Sequence, residues 1–328
     1  MRGVVWAVAA FVLVLVLAAL SFLVLWRTSP TPETASGWSL LADLPDRRGA
    51  LAGVLAPSLF GDGEQREFVV IGGLTGIARS SSAVRVYDPA ADAWRARQAL
   101  PVERHHTAAT ALDDGTLMVA GGAEGARDWV AQSDVWLQDG EGWREGPAMP
   151  EPRLGHQMVT IDGLVYVVGG EGRSAQTLIF EDGSWRTGAA LPEPRGHLGL
   201  VVVDDEIWAI GGRNGAVTDR VDIYDPAADS WRAGPALPAP TSAAAAAVVD
   251  DTPVVVGGED GGDVVEAAWY YDGSSWQALP DPPLWVHGAA VGVLDGQMLI
   301  AGGASRRGAL SVLAWTGAVQ ALEPAALR

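Results

Sequence analysis

The sequence predicts an all-β protein made by repeating one small unit six times, and three observations carry that prediction. An apolar run ends on two adjacent glycines six times, as in FVVIGG, TLMVAGG, VYVVGG, IWAIGG, PVVVGG and MLIAGG. The glycine pairs begin at Gly72, Gly121, Gly169, Gly211, Gly257 and Gly302, with steps of 49, 48, 42, 46 and 45 residues, a spacing that marks a repeat architecture. Asp/Gly turns between short apolar runs recur at the same point of each unit, as hairpins require.

The chain divides into three parts. Residues 1–27 hold 24 uncharged positions from Gly3 to Trp26; as a helix these span about 36 Å, enough for a hydrocarbon core of about 30 Å. Trp6 and Trp26 sit near its ends, where amphipathic rings favour the membrane interface. A cleaved signal peptide is the competing reading, but it needs a small-x-small cleavage site, and none follows Trp26. The expectation is a retained single-pass transmembrane helix with the globular part outside the cytoplasm. Residues 28–37 form a Pro/Ser/Thr linker with nothing to pack a core. Residues 38–328 carry the repeats.

Each repeat reads as four antiparallel strands, a to d. After a Leu-Pro comes a short apolar strand a, then a tight turn such as LDDG (Leu112 to Gly115) or IDG (Ile161 to Gly163). Strand b ends on the glycine pair, a variable loop follows, and strand c ends in a motif such as VYDPAADAW (Val86 to Trp94) or IYDPAADSW (Ile223 to Trp231), whose tryptophan opens strand d. The segment SAAAAAVV (Ser242 to Val249) has helical propensity but falls where strand a lies in every other unit, so strand is expected. Both WSLLADLP (Trp38 to Pro45) and AVQALEP (Ala318 to Pro324) read as strands; the first is expected to complete the sixth sheet from the opposite chain end, removing an exposed edge.

Composition narrows the chemistry. A net charge of −18 argues against non-specific nucleic-acid binding. All 22 basic residues are arginine, which excludes lysine nucleophiles and Schiff bases, and the absence of cysteine excludes disulfides and thiolate metal sites. No nucleophile elbow, Walker loop or His-rich metal motif occurs, so neither cofactor nor metal is expected.

A double glycine closing strand b, an aromatic in strand c, a tryptophan opening strand d and a following LPxxR together resemble the kelch-repeat family, over about Trp38 to Pro324. The resemblance implies a six-bladed kelch-type β-propeller. The glycines are expected to make room for large rings from strands c and d lying across the end of strand b. Chain direction places the d–a and b–c loops on one face and the a–b and c–d turns on the other, which is rich in aspartate.

On the loop face, a basic residue follows most Leu-Pro pairs at a fixed offset (Arg48, Arg104, Arg153, Arg195), with Thr241 breaking the series. His106, His156, His197 and His287 fall close to the same point, and the b–c loops add Arg127, Arg173, Arg213, Arg306 and Trp129. Arginines converging on one mouth suit capture of anionic groups, with Glu124, Asp128, Glu171, Glu259 and Asp260 available to sugar hydroxyls. The alternative for the LPxxR arginines is a structural one, bonding backbone between neighbouring blades. Two functions stay open: a membrane-tethered, non-catalytic module binding a protein or glycan, and a sugar-acting enzyme resembling the bacterial sialic-acid mutarotases. A resemblance to galactose oxidase fails, since that family's copper site needs a cysteine cross-linked to tyrosine.

Overall fold

The structure, a computed structural model, describes residues 36–57, 66–76, 79–125, 129–140, 142–172, 175–261, 263–306 and 314–327. The expected membrane anchor and most of the expected linker lie outside them. Among the described residues no helix is long and apolar enough to cross a membrane.

Six four-stranded antiparallel sheets account for the described repeats. Sheets 1 to 5 each follow chain order: sheet 1 is Ala52–Pro57, Arg66–Ile71, Val84–Asp88 and Ala93–Arg97. Sheet 4, for comparison, is Gly199–Val203, Glu206–Ile210, Val221–Asp225 and Ser230–Ala233. In sheet 5, strand a is Ala245–Val249, so the alanine run is strand despite its propensity. Sheet 6 is assembled from both chain ends: Ala290–Leu294, Gln297–Ala301 and Val319–Leu322 are joined by Trp38–Leu41, with Trp38 opposite Leu322 and Leu41 opposite Val319. The two terminal strands thus share one sheet, AVQALEP in third place and WSLL outermost.

The innermost strands touch in a closed cycle, each against strand a of the next sheet and the last against the first. The core lies between facing sheets. Phe68 and Tyr87 of sheet 1 pack on Leu299, Val319 and Ala321 of sheet 6, and Val54, Ile71 and Val86 pack on Leu117 and Val119 of sheet 2. Burial at such sites contributes about 25 cal/mol per Å² of apolar surface.

The repeated motifs form two hydrogen-bonded cycles. At the perimeter, the indole N–H of the tryptophan opening each strand d donates to a backbone carbonyl of the preceding sheet. Trp94 donates to Ala42 (2.8 Å), Trp143 to Gln98 (3.0 Å), Trp185 to Pro147 (2.7 Å), Trp231 to Ala189 (3.0 Å), Trp276 to Pro235 (2.8 Å) and Trp38 to Pro280 (3.0 Å). Nearer the axis, the second glycine of each pair donates its N–H to a carbonyl of the following repeat: Gly73 to Arg104 and Gly122 to Arg153, both at 2.8 Å, and Gly303 to Arg48 at 2.8 Å across the chain ends.

That second cycle corrects the expected role of the glycines. A Cβ at Gly72, Gly169 or Gly257 would stand 2.6 Å from the carbonyl oxygen of Arg104, Arg195 or Val286, so the neighbour that excludes a side chain is backbone, not an aromatic ring. Both glycines of every pair also have positive φ, which glycine adopts at least cost.

The two-face arrangement holds. Arg48–Gly49, from the d–a loop, pairs with Leu74–Thr75 from the b–c loop, and Arg104 at the start of its strand a lies a strand's length from Asp113 in the a–b turn. In those turns Asp162, Asp204, Asp205, Asp250, Asp251 and Asp295 take positive φ, the tight-turn role expected of them.

Candidate functional site

The Leu-Pro arginines are the first feature whose environment decides its role. Arg48, Arg104, Arg153 and Arg195 are all buried, none more than 3% exposed. Arg48 donates to the carbonyls of Gly72 (2.5 Å) and Ala83 (3.1 Å), and Arg153 to those of Gly169 (3.0 Å) and Gln176 (2.6 Å). Arg195 donates to Gly211 (2.7 Å) and Ala209 (3.0 Å) and pairs with buried Asp222 at 2.8 Å. Since each of these residues also accepts from a glycine of the preceding sheet through its own carbonyl, it fastens two sheets together. Thr241, which breaks the arginine series, does the same with its hydroxyl, donating to Gly257 at 2.8 Å. Arg104 differs in pairing with Glu124 and with Asp134 (2.8 Å). These guanidinium groups are buried and each is bonded to the protein, so they are not presented to a ligand at the mouth.

Two residues beyond each of these positions the chain forms a third cycle, at the axial mouth. Ala50, His106, Gly155, His197, Ala243 and Gly288 all have φ between 51° and 64°. The N–H of each bonds the carbonyl of the one before it: His106 to Ala50 (3.0 Å), Gly155 to His106 (2.9 Å), His197 to Gly155 (2.7 Å), Ala243 to His197 (2.6 Å) and Gly288 to Ala243 (2.9 Å). Leu51 completes the cycle by donating to Gly288 at 3.3 Å. These six residues line a small axial cavity of about 50 Å³ that opens to solvent.

The cycle sorts the predicted histidines, which stand at three different offsets. His106 and His197 occupy the rim itself, with ring centroids 5.1 Å apart. His287 lies one residue earlier and bonds the Arg306 carbonyl through Nε2 at 2.9 Å. His156 lies one residue later and is buried at 1% exposure; burial and the nearby Arg153 push its pKa down to about 3, against the Ala120 carbonyl. His105, not among the residues expected at the mouth, stands behind His106 with Nδ1 facing Nδ1 at 2.5 Å, and its Nε2 meets the Gly125 carbonyl at 3.1 Å. Its one sequence signal was the His-His doublet after Arg104.

Around this rim the b–c loops contribute unequally. Trp129, 40% exposed, has its ring centroid 4.5 Å from that of His106, tilted, and 5.1 Å from that of His105, edge to face. His197 Nε2 bonds Glu171 at 2.7 Å, and Arg213 joins Glu171 (3.3 Å) to Glu259. The bond from His197 holds the Glu171 carboxyl down at about 2. Burial lowers the His105 pKa to about 4, helped by Arg104 and opposed by the Gly125 carbonyl. His106 is pushed well below its ordinary value by burial and by its neighbours His197, His105, Arg213 and His287. His197 is also lowered, burial outweighing the Glu171 bond. Both rim imidazoles are therefore neutral near pH 7. Arg306 offers its backbone carbonyl to His287, and Arg127 and Arg173 lie outside the described residues. Among the described residues no three metal-ligating side chains converge.

Comparison with known proteins agrees with this architecture. Residues 63–258, more than half of the chain, match the KLHDC2/KLHL20/DRC7 Kelch-repeats domain. The protein belongs to the kelch-repeat family. It is 31% identical over 77 residues to Beta-scruin of Limulus polyphemus, covering 24% of this chain and 8% of that one. Over 86 residues it is 35% identical to human Kelch repeat and BTB domain-containing protein 13, covering 26% of this chain and 19% of that one. The matches span less than a fifth of the length of these curated relatives. The solved structure of YjhT superposes with a TM-score of 0.69 at 19% identity, over 85% of this chain and 96% of that one, a likeness of fold.

Proposed function

We propose that the chain is a six-bladed kelch propeller, held at a membrane by residues 1–27 with its propeller outside the cytoplasm, that binds a protein or glycan partner at the axial mouth without transforming it. The observation that supports this reading is the break in symmetry at the rim. Four of the six positions carry only Ala or Gly, while His106 and His197 carry imidazoles flanked by Trp129, Glu171 and Arg213. Polar and aromatic groups gathered on one side of an otherwise bare rim fit a recognition surface made from divergent loops. A sugar-acting enzyme of the mutarotase kind would need guanidinium groups free to hold a carboxylate, and Arg48, Arg104, Arg153 and Arg195 are committed to the protein itself.

The test is a glycan array and a peptide array probed with the full chain and with Trp129→Ala. Binding in either array that falls in the variant, with no change in the bound compound, is the expected result. Interconversion of sialic-acid anomers that is lost in Glu171→Gln would replace this reading with the enzymatic one.

A further inference from the structure

The tautomers at the mouth follow from their partners. A carbonyl oxygen only accepts, so the His105 Nε2 facing the Gly125 carbonyl carries the hydrogen. Neutral His105 then has a bare Nδ1, and the facing Nδ1 of His106 must donate to it. His106 is left with an unprotonated Nε2. His197 Nε2 faces both the Glu171 carboxylate at 2.7 Å, which only accepts, and Arg213 Nη2 at 3.1 Å, which only donates; the shorter contact assigns the hydrogen to Nε2, which leaves Nδ1 unprotonated. No bond to another protein group is made by either of these two bare nitrogens among the described residues.

The rest of the mouth points the same way. The N–H groups of the rim residues His106, Gly155, His197, Ala243 and Gly288 are spent on the backbone cycle, so they are not available to cradle an anion. Among the described residues, two guanidinium groups beside the polar side are each held by two carboxylates, Arg213 by Glu171 and Glu259, Arg104 by Glu124 and Asp134. Each cluster keeps an excess of one negative charge. Glu171 and Glu124 are 39% and 52% exposed, so that charge reaches the surface. Trp129 adds an aromatic face, which attracts a cation through its ring quadrupole.

We infer that the mouth recognises a cationic hydrogen-bond donor, an ammonium or guanidinium group on a flexible chain, which lies against Trp129 beside Glu171 and donates to His106 and His197. The inference rests on the binding function proposed above and gives it a ligand chemistry. A sugar would find the acceptors but would make no use of the surplus charge, and an anion would meet acceptors and carboxylates. A guanidinium uses all three features.

The test is calorimetric titration of the full chain with a set of matched probes. An arginine-containing tripeptide amide, its citrulline twin of equal shape without charge, a glutamate twin, free agmatine and a neutral oligosaccharide are compared. The arginine peptide is expected to bind at least about tenfold more tightly than the citrulline one, with affinity falling as salt rises. Agmatine as strong as the peptide identifies a free small cation as the source; a stronger peptide identifies a side chain of a protein partner. Glu171→Gln and Trp129→Ala should each weaken binding about tenfold with unchanged circular dichroism at the assay temperature. Equal binding of arginine and citrulline peptides, or unaltered affinity in Glu171→Gln, overturns the inference. Binding of the oligosaccharide or glutamate peptide without any cation overturns it while leaving the binding function intact; binding of no probe and of nothing on either array removes both.

Discussion

The framework and the mouth of this protein obey opposite rules. In the framework the same contact is made in every repeat: a tryptophan bonds the preceding sheet and a glycine N–H bonds the following one. At the rim the backbone keeps that regularity while the side chains abandon it, running Ala50, His106, Gly155, His197, Ala243, Gly288. The difference teaches that repetition here serves cohesion and that recognition is written where a side chain can change without disturbing a shared bond.

The largest effect should come from opening the framework at its seam. A chain beginning at Gly49 loses Trp38–Leu41, the Trp38 bond to Pro280 and the buried Leu44, and exposes the edge of Val319–Leu322. Its melting temperature should fall by on the order of 10 °C or more, or its unfolding should lose cooperativity, as scanning calorimetry would report. An unchanged transition would mean that the chain ends do not hold the cycle closed.

Next is Arg195→Leu, which removes a buried guanidinium from two backbone carbonyls and Asp222. A loss of about 3 kcal/mol in urea unfolding is expected, since two buried carbonyls lose their donor and buried Asp222 keeps only Arg220 as its ion-pair partner. A loss below about 0.5 kcal/mol, the level of an ordinary surface change, would reassign this arginine from the framework.

The buried histidines give a smaller, pH-dependent effect. His105 and His156 titrate in the folded state at about 4 and about 3, below the ordinary 6.5. As pH falls below about 6.5 the unfolded chain takes up protons first, so their contribution is full above that pH and is lost on the way down to pH 3–4. Glu171, at about 2 against an ordinary 4.5, adds a weaker loss below pH 4.5, reduced by its exposure to solvent. Chemical unfolding at several pH values should show a shallower slope between pH 6.5 and 4 in His156→Leu, whatever its absolute stability. An identical slope would refute a neutral buried His156.

The smallest stability effect is expected at the mouth. Trp129→Ala should change the unfolding free energy by no more than about 1 kcal/mol, because the ring is 40% exposed and its ring contacts are with two imidazoles of the mouth. A loss of several kcal/mol in urea unfolding would place Trp129 in the framework and erase the contrast between the two regions.

How far the sequence could be read follows the same division. The glycine pairs, the strand d tryptophans and the Leu-Pro positions were legible because each recurs at a fixed period, and the strand-forming alanines of sheet 5 were placed by that period against their propensity. The contacts they make were less so. Glycine at Gly72 signals only that something lies close, and whether that is a ring or the Arg104 carbonyl depends on the neighbouring sheet. Arginine at a fixed offset looks alike whether it reaches a ligand or the Gly169 carbonyl; burial decides between them. The histidines fall close together in sequence, yet one residue of offset turns a side chain to another neighbour: His156 packs beside Gly121, while His197 reaches Glu171. Glu171 and Glu259 were visible as loop acids, but their joint hold on Arg213 joins residues from separate repeats.

The rim cycle has a consequence for how such a protein can change its taste. Ala50 and Ala243 already sit in the left-handed conformation, with φ of 53° and 52°, that most side chains resist. Exchanging either for asparagine or histidine adds no new backbone penalty, because the neighbouring peptides, not the residue's own preference, impose that geometry. Ala50 and Ala243 are thus two open sockets on a turntable that already has two fitted, in which specificity can be rewritten one socket at a time while the hub beneath keeps its shape.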